Sequence, residues 1–437
     1  MTFGAIRCLT SETGRALIVL AHDLGDGLCM RFDETLPFLR APYDFISEGC
    51  RQRGTDVFET RLMLRPTVCM RGRDAVQLFY NEELFFRKGA APARIQQSLL
   101  GHAGVQTLDG DEHRRRKHMF LRIMRADRVA ALLAVAERRW LSAVERWKLR
   151  REIVLYEELH ELLTRAVCEW AGVPLAASEV PARVFELTAM FDKAGAVGPP
   201  HWTARLAHNR AERWCSRLIA EVRAGRRSPA SDSALAIIAR HRQGDGKMLD
   251  ARTASVELLN VLRPTVAVSV FIVFAGLALH VHPKVRDELT QGDDAALGRF
   301  VQEVRRFYPF FPAAMARARR DFRWHGQHFH RGQRVLLDLY GTNHDGRIWN
   351  SPEAFDPSRF QDQELPQDAF VPQGGGSYEH HHRCPGEGIT VALMKQAVHL
   401  LLHRIRYVVP PQDLQIDRQQ LPALPRSRFV MTNIRRA

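Results

Sequence analysis

The sequence is almost without lysine. Seven lysines (positions 88, 117, 148, 193, 247, 284 and 395) stand against 56 arginines, in a basic total of 63 that exceeds the 49 acidic residues by 14. The arginines are scattered over helix-like segments and interleaved with Glu and Asp. That is the pattern of solvated faces rather than of a polyanion-binding surface, so no nucleic-acid partner is expected. CxxC pairs are missing too. The seven cysteines (8, 29, 50, 69, 168, 215 and 384) are far apart, and an odd, dispersed set excludes a disulfide framework and points to a reducing, cytoplasmic setting. The apolar run at 16–21 is too short to span a membrane and no persuasive cleavage site follows it, so no integral membrane segment is expected. Internal repeats and low-complexity linkers are also absent. With 45% hydrophobic and 26% charged residues, disordered, collagen-like and coiled-coil readings fall away and a large buried core becomes available.

What is present is mostly helical pattern. Residues 1–29 are weakly patterned and end just before a second methionine, Met30, which reads as a natural start; the upstream stretch reads as an extension and 30–437 as one domain. From 57 to 80 the alternation suggests two short strands and then a helix start. Most of 111–305 shows apolar spacing of three and four, broken by GVP (172–174), GAVGPP (195–200) and RQGDG (242–246). Strand-like pieces return at 322–324 and 334–339, and a further helix is expected over about 387–404. The fold class is therefore mainly α with a small β part.

The most informative segment is 370–388, FVPQGGGSYEHHHRCPGEG. Cys384 sits in a glycine-rich loop directly before an amphipathic helix, where a helix N-terminus favours a thiolate, lowers its pKa and lets it bind a metal. The flanking glycines let backbone N–H groups approach the sulfur. A buried structural cysteine is the bland alternative. A zinc site from His380, His381, His382 and Cys384 is disfavoured, because adjacent histidines cannot converge on one tetrahedral ion. Upstream, Glu303 and Arg306 in QEVRRFYP are three apart and share a helix face. Between them and the cysteine loop, FDPSRF (355–360) offers Arg359.

In this order the three motifs resemble those of the cytochrome P450 family of haem-thiolate proteins, over a stretch running from about Met30 to the C-terminus. The resemblance implies that fold, haem b (iron protoporphyrin) as cofactor, Cys384 as its axial thiolate, and Glu303, Arg306 and Arg359 as a buried ion triad supporting the loop. It also implies that His113 and Lys117, four apart in DEHRRRKHMF, and His382 bind the haem propionates.

The apolar helix expected over 250–282 should cross the distal side of the haem. Most family members carry an acid–alcohol pair there; this chain has VLRPTVAVSV, with Arg263 and Pro264 at that place. A guanidinium is permanently charged at neutral pH and cannot relay protons, while Pro264 removes an N–H and is expected to open the helix locally at residue 260. A fixed charge in an apolar pocket calls for an anion, and the planar fork matches a carboxylate. A fatty acid is the natural guest. Pairing with a protein carboxylate or a haem propionate is the competing reading, with Glu257 six residues upstream and off-face.

The Arg–Pro motif, with LDLYGTNHD (337–345), FVPQGGG (370–376), HRCPGEGIT (382–390) and LLNVLRP (258–264), is similar to the bacterial fatty-acid peroxygenase branch. That resemblance implies hydrogen peroxide as co-substrate, without NADPH or a redox partner. Peroxide cleavage needs a proton moved between its oxygens, and a carboxylate held by Arg263 can move it; clamping the head group would also bring Cα and Cβ closest to the oxidant. Gln106, in VQTLDG, occupies the place where decarboxylating relatives often have His, which favours hydroxylation; an alkene-forming decarboxylase and an NADPH-dependent monooxygenase are the alternatives. Leu99, Leu100, Phe191 and Phe311 are candidate substrate-channel residues. His381 departs from the branch pattern, in which Gly is usual, so a local change of backbone is expected there.

Overall fold

In a computed structural model, residues 33–361 and 368–437 are described; the expected extension at 1–29, and Met30, lie outside them. The 31-residue helix Ala251–Val281 is the axis of the fold. Asp250 caps it, accepting the Thr253 N–H at 2.9 Å. Its sequence is apolar all round because it is covered all round, by Leu155–Ala171, Val180–Asp192, Pro199–Arg223 and Glu387–His403. It is long and apolar enough to cross a membrane, yet 83% of its most apolar window is buried inside the protein, which identifies it as a core helix. The helix continues through Pro264, which has no N–H to offer the Asn260 carbonyl. Thr265 Oγ1 donates to the Val261 carbonyl at 2.8 Å one step beyond.

The β part is a five-stranded sheet in the order Val57–Leu62, Arg65–Met70, Arg334–Asp338, Ala313–Ala318, Phe85–Phe86. Only the Arg65–Met70 and Arg334–Asp338 pairing is parallel, with Val68 opposite Val335. The two strands and following helix expected at 57–80 are present, the helix as Arg73–Phe79. Of the expected helix breaks, GAVGPP is used asymmetrically: Pro199 and Pro200 open the next helix, where a missing N–H costs nothing. Several strands had no signal of their own. Ala313–Ala318 is built from Ala, Met and Arg, good helix formers, and becomes a strand because it pairs on both edges.

Candidate active site

The cysteine loop is fastened from three sides. Beneath it, Glu303 lies on Asp294–Phe307 with both carboxylate oxygens engaged: Arg306 Nε and Nη2 donate at 2.7 and 2.8 Å, Arg359 Nε at 3.2 Å, and the Asp356 N–H at 2.8 Å. Glu303 and Arg306 are fully buried. The remaining guanidinium donors hold backbone, with Arg306 on the carbonyls of Asn343, Pro352 and Ala354 and Arg359 on those of Asn350 and Ala354. Asn343 passes this anchorage on, its side-chain carbonyl accepting the Val371 N–H at 2.9 Å at the start of the loop. The structure thus brings Glu303, Arg306 and Arg359 together. Glu303→Gln is expected to leave two buried guanidinium groups without their anion and to cost about 3–5 kcal/mol. A urea midpoint equal to the parent's would refute this.

A second cluster, silent in the sequence, grips the loop at Cys384 itself. Arg305 is buried and bonds Gln373 Oε1 at 3.0 Å and the Glu387 carboxylate; Arg383 Nε reaches the other Glu387 oxygen at 2.7 Å. Gln373 is thereby aimed, and its Nε2 donates to Cys384 Sγ at 3.7 Å and to Thr390 Oγ1 at 3.2 Å. The Cys384 N–H returns to the Gln373 carbonyl at 3.1 Å. An N–H aimed at the sulfur draws charge from it, so Gln373→Leu is expected to lower the reduction potential of the haem-loaded protein. An unchanged potential would mean that this contact does not tune the sulfur.

The expected lowering of the thiol pKa is corrected by the structure. Burial pushes the Cys384 thiol above its usual value, outweighing the Gly386 N–H, Lys117 and Arg305, which act the other way. A helix end alone does not ionise this sulfur; a directly bound cation would.

From the side, Gly110–Ile123 presents His113 and Lys117 to the loop. Lys117 Nζ donates to the carbonyls of His381 and Arg383, the latter at 2.7 Å. The His113 ring stacks on His382 at 3.8 Å. Burial first, then neighbouring basic groups (Lys117 and Arg87 for His113; Arg87, His113 and Lys117 for His382), pull both imidazoles down, His113 to about 3. Among the described residues His113 Nδ1 is buried without a hydrogen-bond partner, and no carboxylate lies within 4 Å of the charged groups of this basic cluster. The two propionates of a haem would supply the anions. The residues present therefore fit haem: Cys384 for the iron, and His113, Lys117, His382 and Arg87 for the propionate edge.

His381 needs no special backbone, as it is not among the positive-φ residues. Its Nδ1 accepts the Ser377 N–H at 3.0 Å and its ring stacks on Tyr80, so histidine holds the loop where a smaller residue would leave space.

On the opposite side, Arg263 is 5% exposed and has no ion-pair partner within 4 Å among the described residues. Its Nη1 donates to the Leu99 carbonyl and Nη2 to Asn260 Oδ1 at 3.0 Å. Burial pulls the guanidinium down to about 10, only partly offset by Glu257, so it stays charged at neutral pH. Glu257 does not neutralise it, being committed to Arg116 in a fully buried pair. Asn260 stands between the two, with Nδ2 donating to Glu257 Oε2 at 2.9 Å and to Gln106 Oε1 at 3.2 Å. Glu257, Asn260 and Arg263 are each three residues apart on one helix, a spacing that could have flagged Asn260. Arg116, 141 residues from Glu257, left no such signal.

The remaining candidates are placed unevenly. Leu99 meets Arg263 through its carbonyl, and Leu100 packs at the edge of the same core. Phe191 is buried edge-to-face against His160, 5.9 Å between ring centroids. Phe311 is 45% exposed and leans on Phe310; Phe310, not Phe311, packs on Phe271 of the central helix at 4.4 Å.

The chain is similar to known proteins of one family. The family model for cytochrome P450 matches residues 296–433, the stretch from the Glu303 helix past the cysteine loop. A solved structure of cytochrome P450SP alpha (CYP152B1) in complex with (R)-ibuprophen is 50% identical, covering 92% of this chain and 99% of its own, with a TM-score of 0.90. Cytochrome P450EX alpha (CYP152N1) with myristic acid is 41% identical over 94% of this chain and 98% of its own, also at 0.90. A variant of cytochrome P450 OleT in complex with arachidonic acid is 31% identical over 93% and 97%, at 0.89. Among curated sequences, the putative cytochrome P450 120 of Synechocystis sp. is 24% identical over 88% of this chain and 92% of its own length.

Proposed function

Because the chain belongs to the cytochrome P450 family, in the CYP152 branch of bacterial fatty-acid peroxygenases, we propose that it hydroxylates free fatty acids at Cα or Cβ with hydrogen peroxide. The observation that carries this reading is Arg263, a buried cation without a carboxylate partner among the described residues, at the place where an acid is usual in the family. Relatives of the same fold hold myristic and arachidonic acid, molecules with the chemistry such a cation selects.

When bound, the haem supplies the oxidising centre and the transfer of an oxygen atom. The chain's own residues do the rest. The guanidinium fork of Arg263 offers paired N–H donors to a carboxylate, and the Leu99 carbonyl and Asn260 Oδ1 fix its plane. The apolar faces of the central helix exclude water and strengthen the ion pair. Held there, the substrate carboxylate takes and returns the proton that peroxide cleavage requires, work that Arg263 cannot do at neutral pH. Gln106, with its Oε1 occupied by Asn260, bounds the site as a neutral amide. Peroxide is then consumed productively only when an acid is present.

Purified, haem-loaded protein given peroxide and a long-chain acid should form 2- or 3-hydroxy acids with no NADPH or reductase. Turnover only with NADPH and a reductase would replace this reading with that of a monooxygenase, and terminal alkenes as the main product would replace it with that of a decarboxylase.

A further inference from the structure

The small hairpin Phe322–Trp324 and Gln327–Phe329 carries a cluster that the proposed activity does not use. Its register pairs Phe322 with Phe329 and Arg323 with His328. One face is apolar: the rings of Phe322 and Phe329 stack at 4.5 Å and both meet Phe85. Alternation puts His328 and His330 on the opposite face, where their rings lie 4.1 Å apart. One step beyond Phe322, the register sets Asp321 across from His330. The carboxylate and the two imidazoles bring one ligand atom each to within 4.8 Å of one another. Atoms bound to one ion at about 2.0–2.2 Å lie roughly 3–3.5 Å apart, so small side-chain rotations close the set.

Asp321 and His330 are exposed and His328 partly so, which lets an ion enter with its remaining waters. Asp321 Oδ1 accepts the Arg331 N–H at 2.6 Å, which leaves the other oxygen to ligate and orients it. The surroundings are basic, with Arg323 opposite His328 and Arg331 beside His330. A positive field repels hard ions that bind by charge alone. It admits ions whose bonds to imidazole nitrogen are strong, in the order that rises to Cu²⁺.

We propose that Asp321, His328 and His330 form a surface site for one divalent transition-metal ion of the Cu²⁺, Ni²⁺ or Zn²⁺ class. The ion would bridge the two strands just beyond their three paired positions. Ca²⁺ and Mg²⁺, which need several oxygen ligands, would not be held.

The test is titration of the full haem-loaded chain with Ni²⁺, in a His380→Ala, His399→Ala background that removes two exposed histidines standing near others, at 380–382 and beside His403. One equivalent should bind at least ten-fold more tightly than in the same protein carrying His328→Ala and His330→Ala, and Mg²⁺ should not compete. Superimposable isotherms would overturn the site, as would equal competition by Mg²⁺. A second measurement keeps the test independent of the variants: Zn²⁺ added to the parent protein should slow amide exchange at 321–330. Exchange there unchanged by saturating Zn²⁺ would refute the bridge.

Discussion

Replacing Cys384 with Ser is expected to abolish turnover and to remove the thiolate-type spectrum of the ferrous–CO complex. The two side chains differ by one atom, so the loop should keep its shape: the Cys384 N–H bond to the Gln373 carbonyl at 3.1 Å and the Arg305–Glu387–Arg383 cluster do not involve the sulfur. What changes is the donor. A serine hydroxyl is far weaker as an acid and as a metal ligand than a thiol, and the pocket does not help it, since burial already works against ionisation at this position. An unchanged ferrous–CO spectrum in the variant would refute the assignment of Cys384. A changed spectrum with full activity would separate the ligand from the reaction.

Arg263→Ala is expected to lower kcat/KM for fatty acids with peroxide by about 10²–10³-fold, the usual cost of truncating one partner of a buried, hydrogen-bonded charge pair. The loss should not come from unfolding. The substitution removes an uncompensated buried charge, which is stabilising. It also orphans the Leu99 carbonyl and Asn260 Oδ1, at roughly 1–3 kcal/mol each, so the two effects oppose. Arg263→Lys keeps the charge without the fork and should fall between the two. Because the missing element would be the cation that holds the acid, guanidinium ion added to Arg263→Ala should partly restore peroxide-driven turnover. Full activity in the alanine variant would sink the substrate-assisted mechanism. A raised KM with kcat unchanged would leave Arg263 a binding group only.

Much of this site was legible before any fold was known, for a specific reason. Glu303 and Arg306 meet because they are three apart on a helix, and Arg263 stands out because a permanent charge interrupts an apolar run. Such signals are written in covalent spacing. The thiol at Cys384 shows where that reasoning stops: its place before a helix predicts a lowered pKa, and the enclosing core reverses the direction. Burial is a property of all the neighbours together, and spacing along one segment cannot report it. Phe311 makes the same point, since its ring turns half out to solvent while Phe310 packs inward.

The sequence by itself determined the helical frame, the cysteine loop and its following helix, the Glu303–Arg306 pair and the fixed charge of Arg263 within an apolar helix. Each follows from interactions within a few residues, where chain geometry decides who meets whom. Only the tertiary structure decided that 313–318, helical by propensity, is a strand held on both edges. It alone decided that Glu257 is spent on Arg116 rather than on Arg263, that Arg305 and Glu387 aim Gln373 at the sulfur, and that Asp321 faces two histidines across a hairpin. In these cases the partners are distant in sequence or held by pairing, and only the packing of the whole chain brings them within bonding distance.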